Sequence, residues 1–131
     1  MMNTYKLDDS AKHVKLEIHA GVVGIAVTRV YLKEDGVYKK LFDSDDFSGG
    51  NIPYTKVGIN SGLEDKRVKI RTNMDISNLT PEQQKKAIDN ILMMYYLDGG
   101  PDGVDTYEGT AIEIDLSNPL RPLMTKTIKF V

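Results

Sequence analysis

The stretch Arg67-Val68-Lys69-Ile70-Arg71-Thr72-Asn73-Met74-Asp75-Ile76 decides the fold class of this chain. Its alternate residues are apolar or threonine, and the residues between them are polar or charged. A two-residue period of this kind is typical of a β-strand with one buried side and one solvent-facing side. The stretch therefore predicts a sheet that covers a core with one face and displays Arg67, Lys69 and Arg71 on the other.

Segments on both sides of this strand repeat the alternation. Upstream, residues 13–19 predict a strand, and residues 22–42 predict a β-hairpin in which Gly36 supplies the positive φ of the turn. Downstream, residues 112–116 and 126–131 predict two further strands. Residues 43–54, 60–66 and 98–110 are rich in Gly, Asp, Asn or Ser and are expected to be loops. We expect the pairing of the strands to be mainly antiparallel.

One helix is predicted among these strands, over about residues 80–98. Thr80 is a good N-cap, Pro81 suits the first helical position, and Gln83 completes a capping box. Apolar residues follow at three- and four-residue spacing, and Gly99 is expected to close the helix as a left-handed cap. The apolar stripe comprises Ala87, Ile88, Ile91, Leu92 and Tyr95.

The predicted fold class is α+β, mainly β: an antiparallel β-sandwich or partly open barrel of about seven strands, with one amphipathic helix (about 80–98) over an edge or an open end. The 131 residues fit a single domain, 1–131, in which we expect residues 1–11 to be a flexible N-terminal segment. No apolar run approaches the roughly 20 residues of a membrane span, and no signal peptide is visible. A removed signal peptide would leave no trace, and a cytoplasmic location is the expectation.

Several chemistries are excluded or weakened by the residues present. The chain has no cysteine, which removes disulfides, thiolate nucleophiles and cysteine-based metal sites. The two histidines, His13 and His19, share one strand face but are about 20 Å apart at 3.3 Å per residue. No nucleophile elbow, phosphate-binding loop or zinc-protease motif occurs. We therefore predict no catalytic residues and no cofactor other than a possible calcium ion.

Calcium is considered because two loops combine glycine with acids. Short turns of this composition can direct several oxygen ligands at one cation, although Asp and Gly are also the ordinary residues of tight turns. An EF-hand beginning at Asp98 fails, because Gly100 and Gly109 occupy positions that need an oxygen ligand. The candidate metal ligands are Asp43, Asp45 and Asp46 in the first loop, and Asp98, Asp102 and Asp105 in the second.

Charge is segregated along the chain although the net charge is only −2. Residues 87–120 contain acids but no Lys or Arg, whereas residues 66–86 are predominantly basic. Side chains on one strand face lie about 6.6 Å apart, close to the phosphate spacing of an extended nucleic acid. That face of the strand lacks stacking aromatics and the overall charge is negative, so we expect neither nucleic acid nor membrane as a partner.

We therefore predict a non-enzymatic binding or structural assembly protein that self-associates or docks on a protein partner. The expected interface joins Arg67, Lys69 and Arg71 of one copy to Asp105 and Glu108 of the next. The expected apolar contributors are Tyr54, Ile59, Leu120 and Leu123. The two alternatives are a calcium-dependent β-sandwich binding module and a small hydrolase that uses paired carboxylates.

Overall fold

A computed structural model describes residues 2–131, and within them the chain forms ten strands and one α-helix. The helix is α1 (Pro81–Asp89), and short 3₁₀ helices occur at Asn60–Gly62 and Ala111–Glu113. The strands are β1 (Asn3–Tyr5), β2 (His13–Gly21), β3 (Ile25–Glu34), β4 (Val37–Asp43), β5 (Ile52–Ile59), β6 (Arg67–Asp75), β7 (Leu92–Gly100), β8 (Gly103–Glu108), β9 (Ile114–Asp115) and β10 (Leu123–Phe130).

The strands form two sheets. The larger sheet has the order β1-β10-β6-β3-β4, and β9 also pairs with β10. The smaller sheet has the order β5-β2-β7-β8. All neighbours are antiparallel except β1, which runs parallel to β10. The mainly β, sandwich-like α+β fold expected from the alternation is thus confirmed.

The core lies between the inner faces of the two sheets. In the larger sheet, β6 buries Val68, Ile70 and Met74, as its alternation predicts. In the smaller sheet, Leu16 of β2 and Tyr95 of β7 point into the same apolar cluster. Burial of these inner faces leaves the charged alternate residues of the strands on two outer faces, where partners can reach them.

The predicted hairpin and capping box are both confirmed. Strands β3 and β4 pair through a turn in which Asp35 and Gly36 have φ of 50° and 78°. Thr80 and Gln83 exchange the reciprocal hydrogen bonds of a capping box at the start of α1.

The predicted helix over residues 80–98 is too long. Helix α1 ends at Asp89, and strand β7 begins at Leu92 and pairs with β2 on one side and β8 on the other. Met93, Tyr95 and Leu97 are buried in alternation, but Met94 and Tyr96 are also bulky and apolar, so the two-residue period is masked. The spacing of the apolar residues therefore fitted a helix as well as a strand.

Two further predictions about the C-terminal half are wrong. Residues 98–110 were expected to be a loop, but most of them complete β7 and form β8 around a tight turn closed by Gly100 and Gly103. The predicted strand over residues 112–116 is reduced to β9, because Thr110 and Glu113 form a capping box around a 3₁₀ helix. Strands β7 and β8 are two of the reasons why the chain has ten strands where about seven were expected.

The N-terminal segment contains a paired strand and a buried side chain. Strand β1 lies within residues 1–11 and pairs with β10, and Tyr5 is buried. The Tyr5 hydroxyl donates a hydrogen bond to the Gly103 carbonyl (2.7 Å) and accepts one from the Gly100 N–H (2.8 Å). An aromatic side chain with both hydrogen-bond partners anchors this segment across the two sheets.

Candidate functional site

The predicted basic residues form part of a larger array on the outer face of the larger sheet. Strand β6 places Arg67, Lys69 and Arg71 on this face, since their neighbours in the strand are buried. Pairing with β3, β4 and β10 brings further cations beside them. We call the whole array the basic face; it comprises Arg29, Lys33, Lys40, Arg67, Lys69, Arg71 and Lys129.

Aromatic rings lie among these cations. The Lys69 Nζ is 4.2 Å from the centroid of the Tyr38 ring, and the Lys33 Nζ is 5.5 Å from it. Tyr31 lies directly opposite Lys69 on the neighbouring strand. Strand β6 itself carries no aromatic residue on this face, as expected, but β3 and β4 supply two. Only the pairing order of the strands, which the sequence did not reveal, brings them there.

The positive charge of the basic face is largely uncompensated. Among the ion pairs of residues 2–131, none involves Arg67, Lys69 or Arg71. Asp43 lies opposite Arg29, but its carboxylate contacts the Lys40 Nζ at 2.9 Å. Arg29 and Arg71 are themselves directly opposite, and like charges in that position destabilise a sheet. In residues 2–131, the charges of Arg67, Lys69 and Arg71 are therefore not neutralised by an ion pair.

The predicted acidic partners lie on the smaller sheet. Asp98, Asp102, Asp105 and Glu108 all belong to the β7–β8 unit, which we call the acidic hairpin. Asp102 is 3.9 Å from the exposed Lys6 ammonium, while Asp105 and Glu108 are exposed on the edge strand β8. In the described part of the chain, no ion pair joins the acidic hairpin to the basic face. The basic face and the acidic hairpin belong to different sheets.

Glu113, another acid of residues 87–120, forms an ion pair with the buried Lys126. Lys126 points into the sandwich from β10, and its Nζ donates to the Glu113 carboxylate (3.1 Å) and to the Glu108 carbonyl (3.0 Å). The Glu113 carboxylate also accepts from the Thr110 N–H and hydroxyl. Burial, and secondarily the charge of Glu113, raises the pKa of the Tyr95 phenol. Glu113 thus has a structural role and is not part of the acidic hairpin.

The six candidate calcium ligands are not gathered into one cluster. Asp43, Asp45 and Asp46 follow β4, whereas the other three lie in the acidic hairpin. Within residues 2–131, no group of three or more His, Asp or Glu side chains is placed to hold a metal ion. A calcium site would need backbone carbonyls to complete its coordination. Calcium binding stays a prediction.

The histidines and the predicted apolar contributors are dispersed. His19 hydrogen-bonds through Nε2 to the Glu17 carboxylate and packs edge-on against Tyr96, on the outer face of the smaller sheet. Tyr54 and Leu120 are exposed, while Ile59 and Leu123 are half-buried. The most exposed apolar side chains belong to other residues, chiefly Phe47 and Ile112.

None of the protein families, curated proteins or solved structures compared with this chain matches it. A search of residues 2–131 for a helix with the length and apolar character needed to cross a membrane found none.

Proposed function

We propose that this protein is a non-enzymatic binding or assembly protein whose basic face docks on an acidic protein surface, in the first instance the acidic hairpin of a second copy. The observation that carries the proposal is the row of cations on β6, which form no ion pair within residues 2–131 and are flanked by Tyr31 and Tyr38. Tyrosine and arginine together are the residues most enriched where proteins dock.

The distribution of charge favours a contact between copies. The basic face belongs to the larger sheet and the acidic hairpin to the smaller one, so one molecule presents both partners of the contact. A contact between two different patches is heterologous, and it continues from copy to copy as a ring or a filament. Complementary charges also steer two such surfaces into the correct orientation during encounter.

The shape of the site supports binding rather than catalysis. The cations of the basic face are spread by the pleat of a sheet, with successive side chains on one strand face about 6.6 Å apart. Such an array fits a broad anionic surface, whereas catalysis needs charges directed at one reacting atom. The calcium-dependent module gains no support from the described residues, in which no three metal-binding side chains converge.

The proposal is tested by sedimentation velocity at high protein concentration. Wild-type protein is expected to assemble at an ionic strength of about 0.01 M and to dissociate at about 1 M, since the screening length falls from 30 Å to 3 Å. Reversal of Arg67, Lys69 and Arg71 to Glu is expected to abolish assembly. The matched control reverses three exposed cations away from the face: Lys12, Lys56 and Lys85.

Three results bear on the partner. A wild-type protein that is monomeric at low salt refutes self-association. If that monomer binds poly-L-glutamate through the basic face, docking on an acidic protein is supported. Failure to bind poly-L-glutamate, or tighter binding of a single-stranded DNA oligonucleotide of equal charge, refutes the proposal.

A further inference from the structure

Strand β3 begins with an edge that no strand covers. Strand β4 pairs with β3 only from Arg29 to Glu34, so the first residues of β3 have no strand neighbour on that side. Thr28 is satisfied by a loop residue instead: its N–H donates to the Ser44 hydroxyl (3.0 Å), and its carbonyl accepts from the Ser44 N–H (2.8 Å).

The backbone of Ala26 is left facing this open side. In antiparallel strands, the N–H and C=O of every second residue point to the same neighbour. Because those of Thr28 point towards Ser44, those of Ala26 point in the same direction. Met74, which lies opposite Ala26, confirms this geometry by donating its own N–H away from β3, to the Pro122 carbonyl (3.0 Å). Within residues 2–131, no strand pairs with Ala26 on its open side.

An apolar groove of about 400 Å³ runs beside this edge, between residues 24–27 and residues 45–49. Phe47 is fully exposed on its rim, and Val23 and Ile25 are both more than half exposed nearby. Phe47 also has a φ of 65°, a conformation that bulky side chains rarely adopt. An added β-strand binds through two features, which are unpaired backbone N–H and C=O groups and exposed apolar side chains beside them.

The edges formed by β4, β5 and β8 are protected against strand addition. Strand β4 carries Lys39 and Lys40, and β5 contains Pro53 and two register shifts. Strand β8 carries the exposed Asp105 and Glu108. Charges, proline and bulges of this kind are the usual means by which proteins block edge pairing. The start of β3 has none of them.

The charge of the groove restricts what can bind there. Asp45 and Asp46 line it, and both are exposed. We propose that this groove binds an extended segment of a partner protein by β-strand addition. The segment would pair with the backbone of Ala26, place an apolar side chain against Ile25 and Phe47, and direct lysine or arginine towards the two aspartates. This site is separate from the basic face and does not depend on the proposed function.

The probe is an end-blocked peptide, Lys-Val-Lys-Val-Lys-Val-Lys, titrated into ¹⁵N-labelled protein and followed by NMR. We expect amide shifts at residues 24–28 and 45–49, and slower exchange of the Ala26 amide with D₂O by about tenfold. A peptide with Glu in place of Lys is expected to bind much more weakly. A peptide with proline at the central valine is also expected to lose affinity, because proline disrupts pairing.

Two exposed apolar residues provide matched variants. Phe47→Ser is expected to weaken peptide binding about tenfold, as loss of an apolar anchor should. Ile112→Ser, which is equally exposed on a 3₁₀ helix, is expected to leave it unchanged. Both side chains are almost fully solvated, so neither change should disturb the fold.

Four results would overturn the inference. The first is an equal loss of peptide affinity in Phe47→Ser and Ile112→Ser. The second is binding of the Glu peptide with the same affinity as the Lys peptide. The third is a set of peptide-induced amide shifts confined to the acidic hairpin. The fourth is a set of shifts at residues 24–28 that depends on protein concentration without peptide, which would identify a second copy as the occupant.

Discussion

The buried ion pair between Lys126 and Glu113 permits a sharp test of how this sandwich is held together. The Lys126 side chain is only 5% exposed, whereas the Glu113 side chain is 23% exposed. We expect Glu113→Gln to destabilise the protein strongly although the change is nearly isosteric. The reason is that it leaves an ammonium group in the interior without its counter-charge.

The expected loss of stability depends on which contacts Lys126 and Glu113 keep after each substitution. Removing one partner of a buried pair costs about 3–5 kcal/mol. Lys126 keeps its hydrogen bond to the Glu108 carbonyl, and water reaches the Glu113 side, so the lower end of that range applies. Lys126→Met removes the more deeply buried charge and leaves Glu113, which is partly exposed and still accepts hydrogen bonds from Thr110, so it should change stability by no more than about 1 kcal/mol. When Lys126→Met is already present, Glu113→Gln should cost only about 0.5 kcal/mol, as expected for a partly exposed polar exchange.

Urea denaturation of the wild type, both single variants and the double variant measures this cycle. With a slope of about 2 kcal/mol per molar urea, a loss of 3 kcal/mol lowers the midpoint by about 1.5 M. The expected coupling between the two sites is about 2–3 kcal/mol. A coupling below about 0.5 kcal/mol would refute the reasoning, because it would show that the pair is already screened by water as a surface pair is.

Three further changes test other features of the structure in the same assay. Arg71→Glu should raise the free energy of unfolding by about 0.2–1 kcal/mol because residue 71 lies directly opposite Arg29 in the sheet. An unchanged free energy would show that repulsion between Arg29 and Arg71 does not destabilise the sheet. Gly99→Ala should cost at least about 3 kcal/mol, since a Cβ would lie 2.1 Å from a backbone oxygen of β2. In the control Gly103→Ala the added Cβ lies in open space, and the change should cost about 1–2 kcal/mol. Equal losses of stability in Gly99→Ala and Gly103→Ala would contradict the steric argument. Tyr95→Phe should stabilise by about 1 kcal/mol because no group of the described residues hydrogen-bonds to the buried hydroxyl, and a loss of stability would reveal a partner.

Much of the candidate site could be predicted one strand at a time. The alternation in residues 67–76 correctly predicted that Arg67, Lys69 and Arg71 face solvent. The same reasoning could not separate Glu113 from Glu108. Both are acids in one acidic region, yet the first is bound to Lys126 and the second is exposed. Alternation also failed in residues 90–98, where apolar residues on both sides of β7 resembled a helical stripe.

By itself, the sequence determined the features that depend on neighbours along the chain. These are the two faces of each well-alternated strand, the turn at Gly36 and the capping box at Thr80, because local sterics and local hydrogen bonds specify them. Apart from the β3–β4 hairpin, only the tertiary structure decided which strands lie side by side. That pairing brings Tyr31 and Tyr38 to the basic face and leaves the backbone of Ala26 uncovered. A two-residue period predicts which side of a strand is buried, but which strands pair depends on the packing of the whole core.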